Sequence, residues 1–141
     1  MSDVIPIRGV IQHRARARQI VDFRHLLFGS ITPTDVDGLI EFKNRCFLLI
    51  ELKHVSKPDL DLGQRLALER LCMDLGKPTM LLHGLHDAPV SQDIDAAAAI
   101  VHRYFWRGAW RTPRGIMTIR EASEWFFDVY GAVTRQPTMP T

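Results

Sequence analysis

The chain has 141 residues, of which 46% are apolar and 24% charged, and its formal charge is +2. These values fit a globular chain with one hydrophobic core and exclude a global polycation, so any anionic partner is met by local clusters. No apolar run approaches the ~20 residues that span a bilayer, and MSDVIPIRGVIQHRARAR carries its arginines after its apolar residues and lacks a secretory h-region. A cytoplasmic protein with no membrane partner is the expectation.

From Val10 to Phe28 the apolar residues Val10, Ala17, Ile20, Val21, Leu27 and Phe28 recur at helical spacing, with Arg14, Arg16 and Arg18 on the other positions. Gly29 is placed to stop that helix. Two strands follow, Val36–Phe42 and Cys46–His54, joined by Lys43-Asn44-Arg45 in a tight hairpin, since asparagine tolerates left-handed backbone. After the loop VSKPDLDLG, a helix is expected from about Asp61 to Leu75, with Leu62, Leu66, Leu68, Leu71, Cys72 and Leu75 as its apolar face and Gly76 beyond its end. Thr79–His83 is a short apolar run bounded by turn residues, and reads as a buried strand. The β-branched and aromatic residues from Ala98 to Trp106 suggest another strand, turned by Arg107-Gly108 into Ala109–Arg111. Thr118-Ile-Arg-Glu121 fits a capping box that opens a last helix ending near Gly131. The expected architecture is α/β, one domain over residues 1–133 with a mixed β-sheet flanked by helices, and a flexible polar tail over 134–141. Cys46 and Cys72 sit among apolar residues and read as buried free thiols, while His83-Gly-Leu-His86 lacks the second ligand pair of a structural zinc site.

The hairpin carries the chemistry. Alternation along the strands sends Val36, Ile40, Phe42, Cys46, Leu48, Ile50 and Leu52 to one face, and Asp35, Asp37, Leu39, Glu41, Phe47, Leu49, Glu51 and Lys53 to the other. With a three-residue loop, Phe42 pairs with Cys46, Asp37 falls opposite Glu51, and Asp35 falls opposite Lys53. Asp35 with Lys53 would be an ordinary surface ion pair. Two carboxylates directly opposite destabilise a sheet unless a shared proton or a cation lies between them. Oxygen ligands on a half-open site suit Mg²⁺ or Mn²⁺, which keep waters and recruit phosphates. Lys53 reaches the same cavity, where it can orient or deprotonate a water and stabilise charge on phosphorus.

Asp37-Gly38, followed by Glu51-Leu52-Lys53 with Glu51 fourteen positions after Asp37, resembles the PD-(D/E)XK nuclease superfamily. The order of elements over residues 10–85 is similar to that superfamily's restriction-endonuclease-like core. The resemblance implies a Mg²⁺- or Mn²⁺-dependent deoxyribonuclease that hydrolyses phosphodiester bonds in DNA, with endonucleolytic cutting favoured and a phage or mobile-element origin consistent with its size. By carry-over, Asp37 and Glu51 hold the metal with the Leu52 carbonyl, Lys53 serves the attacking water, and Gln64 matches a glutamine found after the lysine in several branches. Pro33 is followed by Thr34 where the motif has its acid, which makes Asp35 a further candidate ligand. Asp22 is the nearest counterpart of the family's first-helix acid.

DNA phosphates call for basic clusters. Arg14, Arg16 and Arg18 form one, and Arg103, Arg107, Arg111 and Arg114 another, interleaved with Trp106 and Trp110, which either stack on bases or fill the core. Lys57 follows the site. A homodimer is one way for so small a nuclease to span both strands. The rival readings are a catalytically inactive nucleic-acid-binding module on the same fold, and a hydrolase of small phosphoesters that uses the same carboxylates.

Overall fold

The computed structural model describes residues 22–131. The chain divides into two units, Met1–Pro33 and Thr34–Thr141. In the first unit Arg24–Leu26 form a single 3-10 turn, and Phe28 and Ile31 bridge each other around Gly29, whose φ is +66°. The helix expected to run to Phe28 therefore does not reach it. Asp22 explains this locally, because its carboxylate accepts from the Arg24 backbone N–H at 2.9 Å and from its guanidinium at 2.7 Å, an alternative to helical bonding. The earlier part of that expected helix, with Arg14, Arg16 and Arg18, and the tail 134–141 lie outside the described residues.

The second unit contains β1 (Gly38–Phe42), β2 (Cys46–His54), α1 (Leu62–Asp74), β3 (Thr79–His86), β4 (Ile100–Trp106), β5 (Ala109–Arg111) and α2 (Ile119–Tyr130). The strands form one mixed sheet in the order β1-β2-β3-β4-β5. Only β2 and β3 run parallel, joined by α1 as their crossover; every other neighbouring pair is antiparallel.

The hairpin closes as the sequence predicts, pairing Phe42 with Cys46 and continuing to Gly38 opposite Ile50. Lys43 and Asn44 both take left-handed backbone (φ 46° and 57°), and the Arg45 N–H donates to the Phe42 carbonyl at 2.7 Å. β1 starts two residues later than Val36 because Asp37 leaves the ladder: its carboxylate, not a backbone carbonyl, receives the Leu52 N–H. β3 runs three residues past His83, because Leu52–His54 continue to pair with Gly84–His86. β4 starts at Ile100 behind a 3-10 turn, Ala96–Ala98, which the Asp95 side chain caps through the Ala97 N–H.

Apolar residues are buried on both faces. On one, Cys46, Leu48, Ile50, Met80, Leu82 and Val101 pack under Ile119, Ala122 and Phe126 of α2, whose start has the predicted capping box between Thr118 and Glu121. On the other, Leu49, Leu81 and Phe105 pack under Leu68 and Cys72 of α1. That helix buries a narrower stripe than its leucines suggest, since Leu62 and Leu71 are exposed. Both cysteines are buried and free. Phe126 is fully buried and its ring meets those of Trp106, Phe127 and Tyr130. Phe126→Ala should therefore cost about 3–5 kcal/mol in urea unfolding, and a loss under about 1 kcal/mol would show that this packing contributes little. Among the described residues no helix is long and apolar enough to cross a membrane.

Candidate active site

Leu49, Glu51 and Lys53 alternate onto the α1 side of β2. Leu49 lies under the body of the helix, whereas Glu51 lies by its first turn, where Gln64 Nε2 donates to Glu51 Oε2 at 2.7 Å. Asp37 sits one step beyond the Gly38–Ile50 pair, and so opposite Glu51. Its Oδ2 accepts from the Leu52 N–H at 2.7 Å, and its own N–H points at Glu51 Oε1 at 3.4 Å. Lys53 Nζ lies 3.9 Å from Glu51 Oε2. The ion pair expected between Asp35 and Lys53 does not form among the described residues; Asp35 is exposed, and the lysine turns to Glu51 instead. Asp22 is bound to its own neighbour Arg24 at 2.7 Å.

Glu51 is only 3% exposed. Burial pushes its carboxyl up to about 7, the charge of Asp37 pushes in the same direction, and the hydrogen bond from Gln64 pulls against both. A proton or a cation relieves such a group. The oxygens around it fit a hard divalent cation: the carboxylates of Asp37 and Glu51, and Gln64 Oε1, which is buried with no hydrogen-bond partner. A strand residue turns its N–H and C=O to the same side, so the Leu52 carbonyl faces the gap its N–H shares with Asp37. Among the described residues no three His, Cys, Asp or Glu side chains cluster as metal ligands. The donor set is thus two carboxylates supplemented by amide and backbone oxygens, all suited to Mg²⁺ or Mn²⁺.

Three further residues reach this face that the motif did not single out as part of the site. β3 sets His83 beside Glu51, and β4 sets Arg103 beside His83. The register shifts at His83/Gly84, so His102 is the extra residue of a β-bulge, and its ring meets that of His83 edge-on at 5.2 Å. His83 is 1% exposed and neither ring nitrogen closes a hydrogen bond, although the Pro58 carbonyl is near enough to favour its charged form. Burial dominates and lowers its pKa to about 4, with the charges of His102, Arg103 and Lys53 adding to the effect, so the ring is neutral at pH 7. Counting across β3 finds His83, and alternation along β4 from Phe105 finds Arg103, whereas His102 is brought in by the bulge, which no residue pattern announces. His86, an odd number of residues away, faces the other side of the sheet, which separates the two histidines of the His83-Gly-Leu-His86 motif.

The other basic candidates divide. Lys57 lies in the turn after β2, at the same end of the sheet as Lys53. Arg107 lies in the turn beyond the end of β4, its guanidinium 4.9 Å from the Trp106 ring, which packs against α2. Arg111 pairs with Tyr104, whose side chain belongs to the α2 side, and its Nε donates to the Trp106 carbonyl at 3.2 Å. Arg114 lines a cavity on that same α2 side with Met80, Leu82 and Trp125. Arg107, Arg111 and Arg114 therefore do not gather around the carboxylates. Trp110 is half-buried against Phe105 and donates its indole N–H to Glu69 at 2.6 Å, which makes it part of a wall rather than a free stacking platform. No family model, no curated protein and no solved structure matches the chain.

Proposed function

We propose that this protein is a metal-dependent DNA nuclease of the PD-(D/E)XK kind, which hydrolyses phosphodiester bonds. The observation that carries this reading is the buried Glu51 carboxylate held opposite Asp37, with Lys53 on the same face. A fold gains nothing from setting a buried carboxylate, Glu51, against an exposed one, Asp37, beside an orphaned amide oxygen, whereas a half-open site for a divalent ion uses all three. The order hairpin, helix, parallel strand, with a helix on each face, is compatible with a restriction-endonuclease-like core.

In this reading Asp37 and Glu51 hold Mg²⁺ or Mn²⁺, with the Leu52 carbonyl and Gln64 Oε1 as further oxygen donors. The ion supplies Lewis-acid stabilisation of the charge that develops on the phosphoryl group. Gln64 fixes the Glu51 carboxylate in one orientation. Lys53 places its ammonium beside Glu51, where it orients the attacking water and faces the phosphoryl oxygens. With two side-chain carboxylates, a single ion is the natural occupancy.

Incubating the protein with supercoiled plasmid and linear duplex in Mg²⁺, Mn²⁺ or EDTA tests this. Strand cleavage is expected with either ion and none with EDTA. Binding without cleavage of any DNA form would favour an inactive binding module, and turnover of small phosphoesters with intact DNA would favour a different hydrolase.

A further inference from the structure

Arg103 is set apart from Arg111 by the Arg107-Gly108 turn, which sends the two to opposite faces of the sheet. Register places Glu51, His83 and Arg103 side by side across three strands on the α1 face. The guanidinium of Arg103 lies 5.3 Å from the Trp110 ring, and Trp110 is itself fixed by Phe105 and by the Glu69 carboxylate. Among the described residues no carboxylate pairs with Arg103, and its Nε is buried with no hydrogen-bond partner. Glu69, which holds Trp110, engages Arg65 at 3.1 Å and the Trp110 indole through the same Oε2. A half-buried arginine that is stacked, unpaired and short of one acceptor is preorganised for an anion with several oxygens, and phosphate fits the fork.

We propose that Arg103, backed by Trp110, is a clamp for a backbone phosphate flanking the one that is cut. This rests on the nuclease reading and adds the direction in which the substrate runs. Strands lie about 4.8 Å apart, so Arg103 sits roughly 10 Å from Glu51 across the sheet. Successive phosphates of one strand lie about 6–7 Å apart, farther than the axial rise of about 3.4 Å because the backbone winds around the duplex, so the clamped phosphate lies about one to two nucleotides from the scissile one. The polynucleotide then runs from the β2 side of the site towards β4, past the exposed His102.

The test uses the Lys53→Ala protein, which retains the proposed metal ligands, with labelled duplex in Mg²⁺ over a range of KCl concentrations, read by fluorescence anisotropy. Arg103→Met, which keeps an apolar stem against Trp110, is expected to weaken binding about five- to tenfold and to flatten the log–log salt slope by about 0.9, the loss of one phosphate contact. Arg107→Met, in the turn beyond the end of β4, should leave both unchanged. A second measurement needs no change at Arg103: duplexes with one neutral methylphosphonate each should bind weakly when the modification lies about one to two nucleotides from the cut. Parent affinity and slope in Arg103→Met, or no sensitive phosphate in that scan, would overturn the clamp and leave the nuclease intact. No DNA binding by the Lys53→Ala protein would overturn both.

Discussion

Lys53→Ala is expected to lower DNA cleavage by at least about a hundredfold, the usual loss when one preorganised donor is removed from a developing charge. The melting temperature should hardly move. The reason lies in the placement of the side chain. Lys53 is partly exposed, belongs to neither buried apolar cluster, and its ammonium has Glu51 Oε2 as its neighbour at 3.9 Å. At that separation on a partly solvated group the pair contributes little to stability. What the alanine variant loses is the positive charge facing the phosphoryl group, not support for the sheet. Gel assays of plasmid nicking and linearisation in Mg²⁺, alongside thermal melts, measure the two effects separately. Wild-type cleavage by Lys53→Ala would remove the lysine from the mechanism.

Glu51→Gln has the second large effect, and it is one of stability. The folded-state pKa of Glu51 is raised from 4.5 to about 7. Between those values the folded protein binds more protons than the unfolded chain, so in EDTA its stability falls as pH rises. The contribution is fully present below the unfolded value and is lost as pH passes through about 7. The loss is roughly 3 kcal/mol. The groups facing this carboxyl are Asp37, Lys53, Gln64 and, across the next strand, His83. Glutamine cannot ionise, and its amide N–H can be met by the orphaned Oε1 of Gln64 after a flip of that side chain. Glu51→Gln in EDTA at pH 8 should therefore melt about 5–10 °C above the parent, with the gap closing towards pH 4.5. Millimolar Mg²⁺ should stabilise the parent and not the variant. An equal pH dependence in both proteins would place the destabilising charge elsewhere.

Much of this fold could be read from residue patterns because its elements are locally consistent. The hairpin register followed from matching apolar residues on one face. The last helix was announced by Thr118 and Glu121, and β2 by an unbroken apolar run. What escaped was long-range. Asp22 and Gly29 break a segment whose apolar spacing alone suggests helix to Phe28. The leucines of α1 look like a broad apolar face, but one helix over half a sheet face needs only Leu68 and Cys72 fully buried. The arginines from Arg103 to Arg114 form one cluster in sequence and are parted in space, because a strand turn sends Arg103 and Arg111 to opposite faces. The burial of Glu51 was equally hidden, since it depends on where the first turn of α1 comes to rest.

The central claim is that Asp37 and Glu51 face each other in order to hold a divalent cation. Anomalous diffraction from a crystal soaked in Mn²⁺ tests it most directly. A manganese peak is expected between the two carboxylates, within coordination distance of both and of the Leu52 carbonyl. A soaked crystal with manganese bound at other sites and no peak between these oxygens would contradict it.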